Sequence, residues 1–324
     1  MATCVSSTPI PVNGNSTINV PVTPDPSLVG QSPTFNASSS GGGQANASND
    51  AATPLAAAAV LPSTRSLPVK VFLYGPYNVA SGVMSDGLRL RNLIPTAEPY
   101  AGLGFARAGG GGETTTAAVL AVIGNTAVVD WVLVELRDSS NPATIITTKA
   151  ALLLRNGLVK AVDGTSDISF TGLTQSSYFV AVRHRNHLGA MTASAVVLSA
   201  NTPLQDFTTL TAAQVNGANA RRAVGSVFAL WAGNATGDNK VQAAGPSNDL
   251  SAIASVVLNP AYGNNNLVRN WKVAGYRNTD VNMDGDTVAS GANNDAAVVV
   301  NSVTTNPINQ PALNRNTTVD QRLP

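Results

Sequence analysis

Residues 127–162 read AVVDWVLVELRDSSNPATIITTKAALLLRNGLVKAV. Two runs rich in aliphatic and β-branched residues, 127–136 and 144–155, flank a polar turn segment, and Asn156-Gly157 separates the second run from a third, 158–162. An Asn-Gly pair between such runs is a strong hairpin signal, because both residues tolerate the positive φ angles of a tight turn. This stretch therefore predicts an antiparallel sheet.

Four further runs have the same character, at residues 69–74, 168–173, 178–185 and 193–199, and Asp163-Gly164 supplies another turn. Short strands at this spacing, with no long amphipathic helix among them, are typical of an antiparallel β-sandwich of the immunoglobulin or fibronectin kind. In the run 178–185 the even-numbered residues are expected to face inward, and Arg183 and Arg185 outward. The predicted fold class is mainly β, with the sandwich over residues 67–208.

Composition excludes several classes of function. The 324 residues carry 19 Lys and Arg against 18 Asp and Glu, and only 11% are charged, where about 25% is usual. This balance provides no field that would attract nucleic acid or an anionic membrane. The longest apolar stretch near the N-terminus, residues 54–62, is far short of the ~18 to 20 residues of a membrane span.

Cys4 is the only cysteine, which excludes an internal disulfide and a thiolate metal cluster. Residues 1–4 have neither the basic nor the apolar region of an export signal. The chain is therefore expected to be either cytosolic or exported through a signal outside this sequence.

Residues 1–66 form a low-complexity arm dominated by small and polar residues. Within it, Ile10, Val12, Ile18, Val20 and Val22 fall on even positions, which is the period of a strand with one buried face. Prolines at positions 9, 11, 21 and 24 restrict such a strand to a sheet edge. Two interpretations stay open: a disordered linker, or a strand over residues 10–22 that adds to the sheet edge of a second copy.

Two segments near the C-terminus match at a fixed offset. Loop one runs from Asn234 to Asp249 and loop two from Asp280 to Asp295, and 280 − 234 and 295 − 249 both give 46. Oxygen-bearing side chains at positions 1, 3 and 5, a residue that tolerates positive φ at position 6 and a later carboxylate are what a hard cation requires. The predicted ligands are Asp280, Asn282, Asp284, Asp286 and Asp295 in loop two, and Asn234, Thr236, Asp238, Lys240 and Asp249 in loop one.

Calcium is the expected ion, because magnesium prefers a tight octahedron that keeps its waters. Asp286, at position 7, would bind through its backbone carbonyl, and loop two should bind more tightly because it has three carboxylates against two. The closing acid lies at position 16 rather than position 12 of an EF-hand. The alternative is that both loops are Asx-rich turns that cap helices without metal. Short helices are expected over residues 249–258 and 295–303, packed antiparallel as a pseudo-twofold pair.

The Asp-x-Asn-x-Asp-Gly core of loop two resembles a dockerin, the duplicated calcium-loop-and-helix module of secreted bacterial proteins, over about residues 230–310. A dockerin-like module is accordingly assigned to residues 209–324.

A second resemblance, over roughly residues 69–324, is to the C-terminal region of large secreted, adhesin-like surface proteins of Bacteroidetes-type bacteria, and it implies an extracellular β-sandwich joined to a calcium-dependent helical module. This resemblance rests on the short sequence segments Tyr74-Gly-Pro-Tyr77, Glu98-Pro-Tyr100, Asp130-Trp131, Glu135-Leu136-Arg137, Arg183-His-Arg-Asn-His-Leu-Gly189, Met191-Thr192 and Leu230-Trp-Ala-Gly-Asn234.

Two sets of residues suggest catalysis or zinc binding. His184 and His187 have His-x-x-His spacing, but in a strand they would point to opposite faces, and no third ligand is apparent, so a structural role is predicted. Two of the three carboxylates Asp130, Glu135 and Asp138 could form a glycosidase pair, but all three are interpreted as surface turn carboxylates. Without a nucleophile elbow, a metal-hydrolase motif or a nucleotide fingerprint, no enzymatic activity is expected.

Two further features concern carbohydrate. Trp131, Trp231 and Trp271 could form a sugar-stacking platform, although burial is the commoner fate of a Trp beside Val and Leu. Sequons for N-linked glycan occur at Asn15, Asn36, Asn46, Asn234 and Asn316.

The sequence thus predicts a non-enzymatic extracellular or cell-surface structural protein, a self-assembling surface or filament subunit that calcium stabilises. Its expected partner is a second copy of the chain, joined through the N-terminal strand, with attached or bound glycan also considered. The alternative is a monomeric adhesin that recognises glycan or a protein receptor through loops 76–84 or 109–113, the latter including the glycine run 109–112, which is expected to be exposed.

Overall fold

The sheet predicted from residues 127–162 is the centre of the structure, a computed structural model that describes residues 34–35, 55–56, 64–310 and 312–324. The chain divides into two units, residues 1–64 with 171–174 and residues 65–170 with 175–324. The predicted boundary at residues 208/209 lies inside the second unit. Cys4, the strand predicted over residues 10–22 and the sequons at positions 15, 36 and 46 lie outside the described residues.

The strands are β1 (Thr34–Phe35), β2 (Leu55–Ala56), β3 (Arg65–Leu67), β4 (Val69–Lys70), β5 (Tyr77–Asn78), β6 (Val83–Met84), β7 (Val128–Asp138), β8 (Ile145–Leu154), β9 (Leu158–Lys160), β10 (Ile168–Phe170), β11 (Ser177–Arg183), β12 (Ala190–Met191), β13 (Val196–Val197), β14 (Gln205–Asp206), β15 (Arg222–Val224), β16 (Val227–Ala229), β17 (Lys240–Gln242), β18 (Val273–Ala274), β19 (Asp286–Thr287) and β20 (Thr318–Asp320). The helices are α1 (Gly87–Leu90), α2 (Ala117–Leu120), α3 (Asp249–Val257) and α4 (Asp295–Thr305), with short 3-10 turns at Gly124–Thr126, Ala212–Gln214, Pro260–Tyr262 and Pro307–Asn309. The prediction of a mainly β protein is confirmed.

The largest sheet of the described residues has the order β12-β11-β7-β8-β9-β4-β14, with β13 also paired to β11. All of these pairs are antiparallel except β4 with β14. The predicted hairpin is present, because β8 and β9 pair across Asn156-Gly157, where Gly157 has a φ of 86°. In the first unit, β1 pairs antiparallel with β2.

Strand β7 is covered on both faces. Every residue from Val128 to Arg137 is buried, including the polar Asp130 and Glu135. A strand with one solvent face can place its polar residues on that face. A strand that is covered on both faces has no solvent-facing positions for them. The polar residues of β7 must therefore find partners inside the protein.

The helices predicted over residues 249–258 and 295–303 are present as α3 and α4. Their inward-facing residues are apolar at helical spacing, with Ile253 and Val257 on α3 and Val299 and Val303 on α4 all fully buried. These side chains belong to one hydrophobic cluster, which also contains Leu188, Trp231, Val241, Val281 and Val319. The predicted exposed loop at residues 109–112 is confirmed.

Candidate metal centre

Loops one and two share one hydrogen-bond pattern around their closing acids. Asp249 and Asp295 are fully buried, and each accepts main-chain N–H groups through both carboxylate oxygens. The donors at equivalent positions, 46 residues apart, are Thr236 (3.0 Å) and Gln242 (2.8 Å) in loop one, and Asn282 (3.2 Å) and Val288 (2.8 Å) in loop two. The sequence repeat is therefore also a structural repeat.

The same equivalence holds at the helix starts and at position 6. Asn248 and Asn294 cap α3 and α4, each accepting the N–H of the residue three positions later, at 2.9 and 2.8 Å. Position 6 is Asn239 in loop one and Gly285 in loop two, with φ angles of 67° and 93°. The expectation of positive φ at this position is confirmed in both loops.

In loop two, three predicted ligands lie around one main-chain amide. The N–H of Asp284 contacts Oδ1 of Asp280 at 3.2 Å and Oδ1 of Asn282 at 3.0 Å. The Asp284 carboxylate in turn accepts the N–H of Asp286 at 2.9 Å. Oxygens from positions 1, 3 and 5 thus lie along one tight turn, the arrangement from which a hard cation is held.

The side chain of Asp286 is directed to partners outside this turn. Its carboxylate lies 2.6 Å from Nη1 of Arg91 and 3.7 Å from Nζ of Lys272. Only its backbone carbonyl, the group named by the prediction, is left for an ion in loop two.

In loop one, Asn234 is 1% exposed and its Oδ1 has no hydrogen-bond partner among the described residues. A buried polar atom without a partner is uncommon in folded proteins. The Thr236 hydroxyl lies 3.1 Å from Asp249, whereas Asp238 accepts the N–H of Lys240 at 3.0 Å and lies at the surface with Lys240. Burial also removes Asn234 from use as a glycan acceptor, so that sequon was misleading; Asn316 is exposed.

Burial sets the electrostatics of both loops. Burial, together with the charge of Asp280, raises the pKa of Asp295 to about 8. Burial raises the pKa of Asp280 to about 7 although Arg185 opposes the shift, and burial raises the pKa of Asp249 to about 6. These carboxylates are therefore poorly compensated by the charges around them.

The donor chemistry suits calcium more than zinc. Across residues 64–310 and 312–324 and the two short strands before them, no three His, Cys, Asp or Glu side chains are grouped to hold a metal. Loop two instead offers two carboxylates, one amide and one main-chain carbonyl, from Asp280, Asp284, Asn282 and Asp286. Oxygen sets of this kind fit the flexible coordination of Ca²⁺.

Asn186 joins both loops to the end of β11. Its backbone oxygen accepts the N–H of Asn234, the first residue of loop one, at 3.1 Å. Its side-chain amide donates to the carbonyl of Asp280, the first residue of loop two, at 2.7 Å. Arg183 adds a contact to Asn239 of loop one at 2.7 Å, and Arg185 one to the carbonyl of Arg277. The sequence analysis did not predict these contacts between the end of β11 and the two loops. Their only signal in the sequence was the polar run 183–187 in a chain with few charged residues.

The prediction that Arg183 and Arg185 face outward is wrong, because both are buried. Arg185 donates through Nε to Asp130 at 2.9 Å, and Arg183 lies 3.3 Å from Glu135. Asp130 and Glu135 are therefore buried partners of arginines rather than surface turn carboxylates. Asp138, at the end of β7, does accept turn N–H groups as expected, from Ser140 at 2.8 Å and Asn141 at 2.9 Å.

Asp130 is the most heavily bonded of these carboxylates. It also accepts the Tyr276 hydroxyl at 2.6 Å and the His184 ring at 3.1 Å. Burial alone would raise the pKa of Asp130, but the charge of Arg185 and the hydrogen bonds from His184 and Tyr276 outweigh it and lower the pKa to about 2. Asp130 is thus ionised and ties the sheet to the segment that precedes loop two.

The two histidines have complementary structural roles. His187 accepts the N–H of Gly75 through Nε2 at 3.1 Å, while its Nδ1 lies 2.8 Å from Oδ1 of Asn186. Burial lowers the pKa of both rings, so both are neutral at pH 7. Each ring therefore has a hydrogen-bonding role within the chain, which supports the structural interpretation.

The tryptophans do not form a platform. Trp131 and Trp231 are buried, and their ring N–H groups donate to the carbonyls of Pro95 and Asn219. Trp271 is 40% exposed, so burial was the wrong expectation for it.

Comparisons of the chain with protein-family models, curated proteins and solved structures found no match. None of the described helices is long and apolar enough to cross a bilayer.

Proposed function

We propose that the chain is a non-enzymatic extracellular structural protein in which calcium, bound by loops one and two, fixes the helices to the sheet. The observation that carries this proposal is the position of Asn186, which contacts the first residue of both loops. An ion bound in either loop stiffens a turn that is already attached to β11. In this proposal, calcium stabilises the contacts between the sheet and the helices, and not the helices alone.

In this proposal Asp280, Asn282, Asp284 and the carbonyl of Asp286 bind the ion in loop two. The partner-free Oδ1 of Asn234 supports a second ion in loop one. The closing acids Asp249 and Asp295 organise the loops through their main-chain hydrogen bonds. Ligand number and charge favour loop two as the tighter site.

We further propose that the main sheet belongs to an immunoglobulin- or fibronectin-like sandwich, and that this sandwich carries a dockerin-like module. The antiparallel order of the main sheet supports the first part. The repeated loop-and-helix geometry supports the second.

The proposal extends to self-assembly through the strand predicted over residues 10–22. The main sheet ends in β12 on one side and β14 on the other, and a donated strand would extend it at one of these edges. Negative-stain electron microscopy tests this in calcium-containing buffer. Fibres are expected from the full chain and dispersed particles from a variant lacking residues 1–24. Dispersed particles from the full chain, or unchanged fibres from the deletion variant, would contradict strand donation.

A second candidate function, that of an adhesin, is favoured by one specific feature. This is a cleft beside loop two that includes part of the predicted recognition loop 76–84.

A further inference from the structure

A cleft of about 680 Å³ lies between the β5–β6 region and α4, with loop two along one side. One wall contains Tyr74 and Tyr77, and the other contains Ala297 and Asn301 of α4. Small-molecule sites in proteins have volumes of about 300 to 1,000 Å³. The cleft is therefore large enough for a ligand of one or a few rings.

The walls are fixed by contacts within the chain. The Tyr74 hydroxyl lies 3.1 Å from Oδ1 of Asn301, and the Arg222 guanidinium lies over the Tyr74 ring at 3.8 Å from its centroid. The Tyr77 ring packs against Phe72 with a centroid distance of 4.6 Å. Both tyrosines are held before any ligand arrives, so little conformational freedom is lost on binding.

The lining is polar but carries no cationic side chain. Asn78, Ser85, Asn293 and Asn301 offer neutral donors and acceptors, and no Lys, Arg or His is among the described lining residues. Two lining residues are acidic: Asp86 is paired with Arg89 at 2.6 Å, and Asp284 is one of the proposed calcium ligands of loop two. A phosphorylated, sulfated or carboxylated ligand would find no cationic side chain on these walls, and the charge of a calcium ion in loop two would be balanced by its own ligands Asp280 and Asp284.

We propose that this cleft binds a neutral saccharide. Sugar hydroxyls donate and accept at once, which matches the amides and the hydroxyl of Ser85. Arg222 lies over the Tyr74 ring and Phe72 packs against the Tyr77 ring, and the apolar face of a sugar ring would pack on the other face of either tyrosine. This inference does not depend on self-assembly, because the walls belong to a single chain.

The repeat provides a matched pair of variants. Ala297 is exposed on the first turn of α4, within the cleft, and Ser251 is its equivalent on α3, 46 residues earlier and outside the cleft. Ala297→Trp places a large ring in the cleft, and Ser251→Trp makes the same kind of change on the other helix. Asn301→Ala removes one lining amide, together with the hydrogen-bond partner of the Tyr74 hydroxyl, without adding bulk.

The probe is a printed array of neutral and acidic oligosaccharides, with protein in calcium-containing buffer and melting curves as a check of folding. The wild-type chain and Ser251→Trp are expected to bind neutral members, Ala297→Trp to lose binding, and Asn301→Ala to bind about tenfold more weakly through loss of one hydrogen bond. If Ala297→Trp does not fold, the Asn301→Ala result decides. No binding by the wild-type chain, binding only to acidic members, or binding unchanged in both cleft variants would overturn the proposal.

Discussion

Asp130→Asn is expected to lower the free energy of unfolding by about 3 to 5 kcal/mol, the cost of removing one partner from a buried ion pair. Asp130 is fully buried, and its carboxylate is the counter-ion of Arg185, also fully buried. An asparagine leaves the guanidinium charge inside the protein without compensation. It also weakens the hydrogen bonds from His184 and Tyr276. Urea denaturation followed by tryptophan fluorescence measures the change.

Asp167→Asn is the matched control for this substitution. Asp167 makes a single 2.7 Å ion pair with Lys160, and its side chain is 36% exposed. The control is expected to cost less than about 1 kcal/mol, as is usual for surface pairs. Equal losses in the two variants would show that the Asp130 network contributes no more than a surface contact.

Asp295→Ala is expected to lower the free energy of unfolding by about 3 to 5 kcal/mol, because each buried N–H left without an acceptor costs about 1 to 3 kcal/mol. Asp295 accepts the N–H groups of Val281, Asn282 and Val288, at 2.7, 3.2 and 2.8 Å. These bonds do not need an ion, so a loss of this size should also be present in chelator. Chemical denaturation in both buffers measures it.

Asp249→Ala is the corresponding change in loop one. Asp249 accepts two main-chain N–H groups, from Thr236 and Gln242, and should therefore show a smaller loss than Asp295→Ala. A loss confined to calcium-containing buffer would instead identify the closing acid as a metal ligand and contradict the role assigned to it.

The hairpin around Asn156-Gly157 and the two loops with their helices could be predicted because their signals are local. Turn residues, strand runs and ligand spacing all lie within a few dozen residues. The burial of Arg185 could not be predicted in the same way. The two-residue period assumes one solvent face, but β7 is buried on both faces and Arg185, two residues beyond β11, pairs with Asp130 of β7.

The role of Asn186 escaped prediction for a related reason. Its partners Asn234 and Asp280 are 48 and 94 residues away, and no periodic pattern connects them. The exposure of Trp271 is also a matter of tertiary arrangement, since its ring N–H donates to the Tyr262 carbonyl at 3.0 Å while the side chain stays at the surface.

The central claim is that calcium in loop two fixes the helices to the sheet, and Asp284→Asn isolates it. In the wild-type chain the N–H of Asp286 donates to Oδ1 of Asp284 at 2.9 Å. The asparagine side chain keeps an oxygen for this N–H, but the negative charge of the ligand is lost. Asp163→Asn is its control, because Asp163 accepts the N–H groups of Thr165 and Ser166 in an exposed turn outside both loops.

The most direct measurement is the melting temperature of the wild-type chain and both variants, in calcium and in chelator. A ligand present at 100 times its Kd stabilises the native state by about 2.7 kcal/mol, so calcium should raise the melting temperature of the wild-type chain and of Asp163→Asn by several degrees. Asp284→Asn should show a smaller rise, because its amide oxygen can still reach the ion but carries no charge, and it should melt close to the wild-type chain in chelator. A wild-type chain that melts at the same temperature with calcium and with chelator would contradict the account.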